Sequence, residues 1–187
     1  MLDISKWLKQ FLYEPEIKEL INSYDFPEVY YKAAQFFQYK ECVSALTKLF
    51  MKNGVNPLDY MNVIPAYYFF RDTTISSFTV PDNIIEIHTA AFEGCTQLQE
   101  VVISDNVQYI GLNAFLGCSN LQHVTLGKSF KEAGNFVFRG CNNLITVYIN
   151  QSFDEFTKNF SSHGKDFHSI VQYLLIQNDD CQFVFEE

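Results

Sequence analysis

The sequence predicts an α/β repeat protein. A helical N-terminal capping domain covers residues 1–60, a short solenoid of four repeats with one parallel sheet covers 61–156, and a C-terminal cap with a strand or hairpin covers 157–187. Three observations carry the prediction. One phrase recurs four times between Phe69 and Ile149, each copy displaced from the last by 23 residues, and a fixed period of about 20–50 residues marks stacked units. Each copy ends in an apolar-x-apolar triplet, the period-two signature of a short strand. The residues before the first copy instead carry their apolar side chains at helical spacing.

Taken in order, Asp3 is placed to cap a first helix whose apolar face is Ile4, Trp7, Leu8, Phe11 and Leu12. Pro15 suits the first turn of a second, with Ile17, Leu20 and Ile21 on one face. Asp25 and Pro27 open a third, running to about Tyr39 with a stripe of Tyr30, Tyr31, Ala34 and Phe37. A fourth buries Cys42, Ala45, Leu46, Leu49 and Phe50 and stops at Asn53-Gly54. Tyr30 to Phe50 is faintly similar to a tetratricopeptide helix pair, but only one unit is present. A cover for the apolar end that stacked repeats leave open explains the block more simply.

The phrase itself begins at Phe69, Phe92, Phe115 and Phe138. Ile75, Leu98, Leu121 and Leu144 follow, then Phe78, Val101, Val124 and Val147, then Val80, Ile103, Leu126 and Ile149. Stacking turns each recurring position into a ladder of like side chains, because a 23-residue unit cannot bury them alone. A turn-rich stretch follows each triplet, and two apolar residues three apart bring the chain back: Ile84/Ile87, Val107/Ile110, Phe130/Ala133 and Phe153/Phe156. The last three copies carry Gly-Cys at 94–95, 117–118 and 140–141, whereas the first has Arg71-Asp72, an outer turn expected to be shaped by the segment before it. Beyond Ile149, Leu174 and Ile176 repeat the strand spacing 27 residues on, consistent with an insert of about four residues. Tyr173 to Ile176 and Cys181 to Phe185 read as strands of a closing hairpin on the exposed edge.

The motif F-x-G-C-x-x-L-x-x-V-x-[I/L], over roughly Met61 to Phe156, resembles the leucine-rich repeats of the BspA type. The resemblance implies a sheet that presents a surface to other proteins. Short relatives of this kind occur in bacteria and their mobile elements, so a phage or mobile-element origin is among its implications.

Composition bounds the remaining possibilities. A hydrophobic content of 48% in 187 residues supports a sizeable core. No apolar run is long enough for a membrane span, and Asp3 and Lys6 interrupt any signal-like start, so no membrane partner and a cytoplasmic location are expected. Net charge is −9, with its largest acidic excess in residues 61–156, which disfavours direct nucleic-acid binding. Five cysteines are an odd count, and three of them share one repeat position, which reads as a reduced, buried stack rather than a disulfide framework or a zinc site.

No phosphate loop, nucleophile motif or metal pair occurs, and His163 and His168 are five apart with Gly164 between them, so neither an enzyme nor a cofactor is expected. His88 and His123 are read as surface positions. The informative residues are those pointing outward from the strands: Ser77, Thr79, Glu100, Val102, His123, Thr125, Thr146 and Tyr148. They are the expected contact face for another protein. The alternative is an acidic inhibitor that occupies a basic nucleic-acid-binding site on a host or defence protein; an unrecognised catalytic site where cap meets repeats is the third reading.

Overall fold

The structure is a computed structural model describing residues 4–35, 40–161 and 180–187. Four helices come first: α1 (Ile4–Tyr13), α2 (Pro15–Asn22), α3 (Phe26–Gln35) and α4 (Lys40–Lys52). In α1, Trp7 and Phe11 are one turn apart, buried and stacked with ring centroids 5.0 Å apart. Ile17 is the buried anchor of α2. In α3 the expected stripe divides, because Tyr30 and Ala33 are buried while Tyr31 points to solvent at 61% exposure. Asp3, Tyr39 and the side chains of Ala34 and Phe37 lie outside the described residues. Helix α4 packs Cys42, Leu46 and Phe50 inward and ends at Gly54, whose φ of 77° is the left-handed conformation a helix C-terminus commonly requires.

A polar contact locks α3 to α4 inside the block. Thr47 donates its hydroxyl proton to the Val43 carbonyl (3.2 Å), which leaves Tyr30 as donor in the buried 2.8 Å bond between the two hydroxyls. Burial, with Tyr68 alongside, pushes the Tyr30 phenol well above its usual range, so it stays a neutral donor. Tyr30 also meets Tyr68, the fully buried ring just before Phe69, where the first repeat begins.

After a 3₁₀ turn (Pro57–Tyr60) the chain winds into parallel strands. The expected sheet is formed by β2 (Ser77–Thr79), β4 (Glu100–Val102), β6 (His123–Leu126) and β8 (Thr146–Ile149), in that order and all parallel. The return limbs form a second parallel sheet of two-residue strands: β1 (Val63–Ile64), β3 (Glu86–Ile87), β5 (Tyr109–Ile110) and β7 (Glu132–Ala133). Between the sheets lie the ladders. Phe92, Phe115 and Phe138 stack at 4.9 and 5.5 Å with rings 15° apart, and Leu98, Leu121 and Leu144 are fully buried beside them.

Helix α5 (Phe153–Ser161) follows the last regular strand, and Phe156 seals the core. A fifth strand, β9 (Gln182–Phe185), then pairs with β8 in parallel, Thr146 opposite Gln182 and Ile149 opposite Phe185. The closing strand was expected on that edge. Its step from the preceding strand is 36 residues, however, so the small insert inferred from Leu174 and Ile176 does not describe the return to the sheet. Tyr173–Ile176, along with His163 and His168, lie outside the described residues.

Candidate functional site

Strand alternation places two rows on the outer face of the five-stranded sheet. One runs Ser77, Glu100, His123, Thr146 and Gln182; the other runs Thr79, Val102, Thr125, Tyr148 and Val184. Neighbours within a row stand about 4.8 Å apart, and the rows lie about two residue rises, roughly 6.6 Å, from one another. The eight sequence-selected residues are thus brought together in register. Their partners on the same strands, Phe78, Val101, Val124 and Val147, face the core.

Exposure sorts the face. Ser77, Thr79 and Glu100 are exposed, Val102, His123 and Thr125 are half-buried, and Tyr148 stands 42% exposed. Thr146 does not offer the expected contact surface: it is only 7% exposed, the smallest side chain between His123 on one side and Gln182 on the other. His123 is less superficial than its place at a strand start suggests, since its Nδ1 is buried and has no hydrogen-bond partner among the described residues. Gln182 and Val184, the latter 42% exposed, belong to the face and were not selected from sequence. The alternation of Cys181–Phe185 announced a strand, but the irregular step concealed its register.

Two hollows lie elsewhere among the described residues. A groove of about 670 Å³ between α1, α2 and α3 has Trp7, Phe11 and Ile17 as its floor, with Glu16 held by Lys32 at 2.8 Å on its rim. A second hollow of about 490 Å³ beside α5 is lined by Lys128, Gln151, Glu155 and Glu186, where Gln151 donates to the Phe130 carbonyl (2.8 Å) and Lys128 pairs with Glu186 (3.5 Å). Neither brings a nucleophile to a base. Among the described residues no group of three His, Cys, Asp or Glu side chains is arranged to hold a metal ion, and no helix is long and apolar enough to cross a membrane.

The three stacked thiols are structural in their contacts. Cys95, Cys118 and Cys141 each donate to the carbonyl of the phenylalanine 26 residues earlier, at 3.0, 3.1 and 3.1 Å. Burial pushes the Cys118 thiol well above its usual range, and the flanking thiols of Cys141 and Cys95 add to the effect. Such a group stays protonated and unreactive at neutral pH.

The family pattern described as "BspA type Leucine rich repeat region (6 copies)" matches residues 62–171. Among solved structures, the chain is similar to a leucine-rich repeat protein from Bacteroides ovatus ATCC 8483 (22% identity, TM-score 0.49), over 67% of this chain and 28% of that one. It is also similar to one from Bacteroides capillosus ATCC 29799 (36% identity, TM-score 0.45), over 48% and 64% respectively. A third is the T. pallidum leucine-rich repeat protein (21% identity, TM-score 0.39), over 64% and 54%. The chain therefore spans less than two thirds of the length of each of these proteins. No curated protein matches it.

Proposed function

Because the chain belongs to the BspA-type leucine-rich repeat family, we propose that it is a non-catalytic protein-interaction module whose working surface is the outer face of the five-stranded sheet. One observation carries the reading: Tyr148 and Val184, each 42% exposed, stand side by side at the end of a row that continues through Thr125 and Val102. Apolar and aromatic side chains on a rigid sheet bind at little entropic cost, and aromatics dominate interface energetics. The parallel polar row adds Glu100, His123 and Gln182 as hydrogen-bonding groups that fix register. The partner is another protein presenting apolar side chains to the Tyr148 end and a donor to Glu100.

The test replaces Glu100, His123 and Tyr148 together by alanine and compares capture of partners from the native cell with that of the unaltered chain. Loss of the partner with a nearly unchanged melting temperature is expected, with Tyr148→Ala alone costing about 2 kcal/mol or more of binding. Partner binding that survives the triple substitution overturns the reading. If binding also falls steeply between low and physiological salt, where exposed charges are screened within about 8–10 Å, the acidic surface is the working one instead.

A further inference from the structure

The five-stranded sheet ends in two different ways. At one end β9 has been added to the regular strands; at the other, β2 is the terminal strand among the described residues. The Val80 amide donates to the Val102 carbonyl and the Ser76 carbonyl accepts from the Gln99 amide, both at 2.8 Å, so residues 76, 78 and 80 turn their backbone groups toward β4. By the two-residue period, Ser77 and Thr79 turn theirs away from the sheet. Among the described residues none hydrogen-bonds to those outward amides and carbonyls.

Two of the four ladders are partly open at the same place, while Phe69 and Val80 close the other two. Ile75 and Phe78 are only half-buried, whereas their counterparts Leu98, Leu121, Leu144, Val101, Val124 and Val147 are completely buried. The helical block reaches this copy elsewhere: Lys48 pairs with Asp72 at 3.4 Å, and Tyr30 packs on Tyr68 at a ring separation of 5.3 Å. An edge with unpaired backbone groups beside half-buried core side chains is a template for one more strand.

We propose that the edge of β2 is a second docking site, which takes an extended segment of a partner protein as an added parallel strand with large apolar side chains two residues apart. The opposite end of the same sheet shows what such a segment looks like. Although β9 falls outside the regular period, it lies parallel to β8, with Phe183 and Phe185 packed on the core and Gln182 and Val184 turned outward. In the register β9 takes on β8, a strand of that pattern at β2 would set its apolar pair opposite Phe78 and Val80, covering the half-buried Phe78 ring, and give the Ser77 and Thr79 backbone their missing partners. Backbone pairing supplies affinity and the alternating side chains supply selectivity, as in other strand-addition interfaces. The site differs from the outer face in using backbone groups and core side chains rather than the outward rows.

The probe is a synthetic peptide, Lys-Thr-Gln-Phe-Val-Phe-Thr-Lys, added to the full chain while amide hydrogen exchange is followed by NMR. Saturable binding below about 1 mM is expected, with exchange at the Ser77 and Thr79 amides slowed at least about tenfold. The same peptide N-methylated at the residues that face β2 should not bind. Ser77→Pro should also abolish binding, since proline is tolerated in an edge strand whose N–H faces solvent yet removes the outward donor; Thr79→Pro is the second variant, and the melting temperature of each confirms folding. No binding at that concentration, slowed exchange confined to β9 or the outer face, or undiminished binding to a folded proline variant each overturns the proposal. Ser77 and Thr79 amides that become protected without peptide, as the chain self-associates in sedimentation, would make a second copy the occupant and likewise overturn it.

Discussion

The first copy of the repeat and its three successors share one period and differ in chemistry at the same positions. Where Gly94, Gly117 and Gly140 take φ of 76°, 72° and 78°, the first copy holds Arg71 at 53°, its guanidinium 5.0 Å from the Phe70 ring. Where the successors bury Cys95, Cys118 and Cys141, it buries Asp72, whose Oδ1 accepts from the Thr74 amide (2.8 Å) and hydroxyl (2.6 Å) while Oδ2 faces Lys48 (3.4 Å). A repeat with a copy on each side is thus built from small apolar groups that stack. One that faces a helix is built from groups that cap and pair. The backbone is common to both, and the neighbour decides the side chain.

The sharpest way to break this contrast is to put the first copy's carboxylate into an inner one. Cys118→Asp should leave the chain unfolded, since position 118 is completely buried between two thiols and has no Lys48 or Thr74 to receive the charge. Circular dichroism reads the result, and a folded variant would show that the neighbour matters less than the backbone. Cys118→Ala, which removes only the thiol, should cost on the order of 1 kcal/mol.

Next in size is a pair of truncations in one ladder. Leu121→Ala should cost about 2–5 kcal/mol, because the residue is fully enclosed and the cavity cannot collapse. The half-buried Ile75 should lose about half as much, since solvent already reaches it and can refill the space. Equal urea midpoints for the two variants would erase the distinction between end and interior.

A smaller effect is expected at the joint with the helices. Asp72→Ala removes the two bonds to Thr74 and should cost about 1–2 kcal/mol. Lys48→Met should cost less than about 1 kcal/mol, because half of that lysine side chain is in solvent. The two variants and their combination, compared by chemical denaturation, separate the cap from the ion pair.

The smallest effect is at alkaline pH. Burial raises the Cys42 and Cys181 thiols to about 11 and places Cys118 higher than its usual range. In the unfolded chain a thiol ionises near about 8.5. Their stabilisation is therefore complete below that value and is lost as pH rises through the folded values, since the unfolded state releases the protons first. Melting temperatures should fall across that window, less steeply in Cys118→Ala. Native thiols should react slowly at pH 8, while five react on denaturation; a rapid native phase from Cys118 would contradict the buried stack.

What could be read from the sequence follows from which features repeat as side chains. Four apolar positions recur in register in every copy because each forms a ladder, so the parallel strands and the core residues of the repeats were visible. The second sheet was not, because strands such as Glu86–Ile87 are two residues long and give no alternation to detect. Nor were the left-handed positions Tyr67, Ala90, Asn113 and Phe136, one in each copy, since four unlike residues share that conformation and none is glycine. On the outer face, alternation selected the right side of the strands. The burial of Thr146 and the contribution of Val184 depend on where β9 lands, and a 36-residue step carries no periodic signal.

The account rests on the copies being interchangeable units of one period, and deleting a unit tests that directly. Removing Thr96–Cys118 joins Cys95 to Ser119, its equivalent junction one copy later, and brings β2 beside β6 in the register each now shares with β4. That chain should fold and melt in a single cooperative transition, at a lower temperature than the parent because one set of ladder contacts is gone. Removing Thr96–Phe115 instead, three residues short of the period, should yield a chain with no cooperative transition. If both deletions melt alike, or the in-period deletion alone fails to fold, the copies are not interchangeable and the ladder account is wrong.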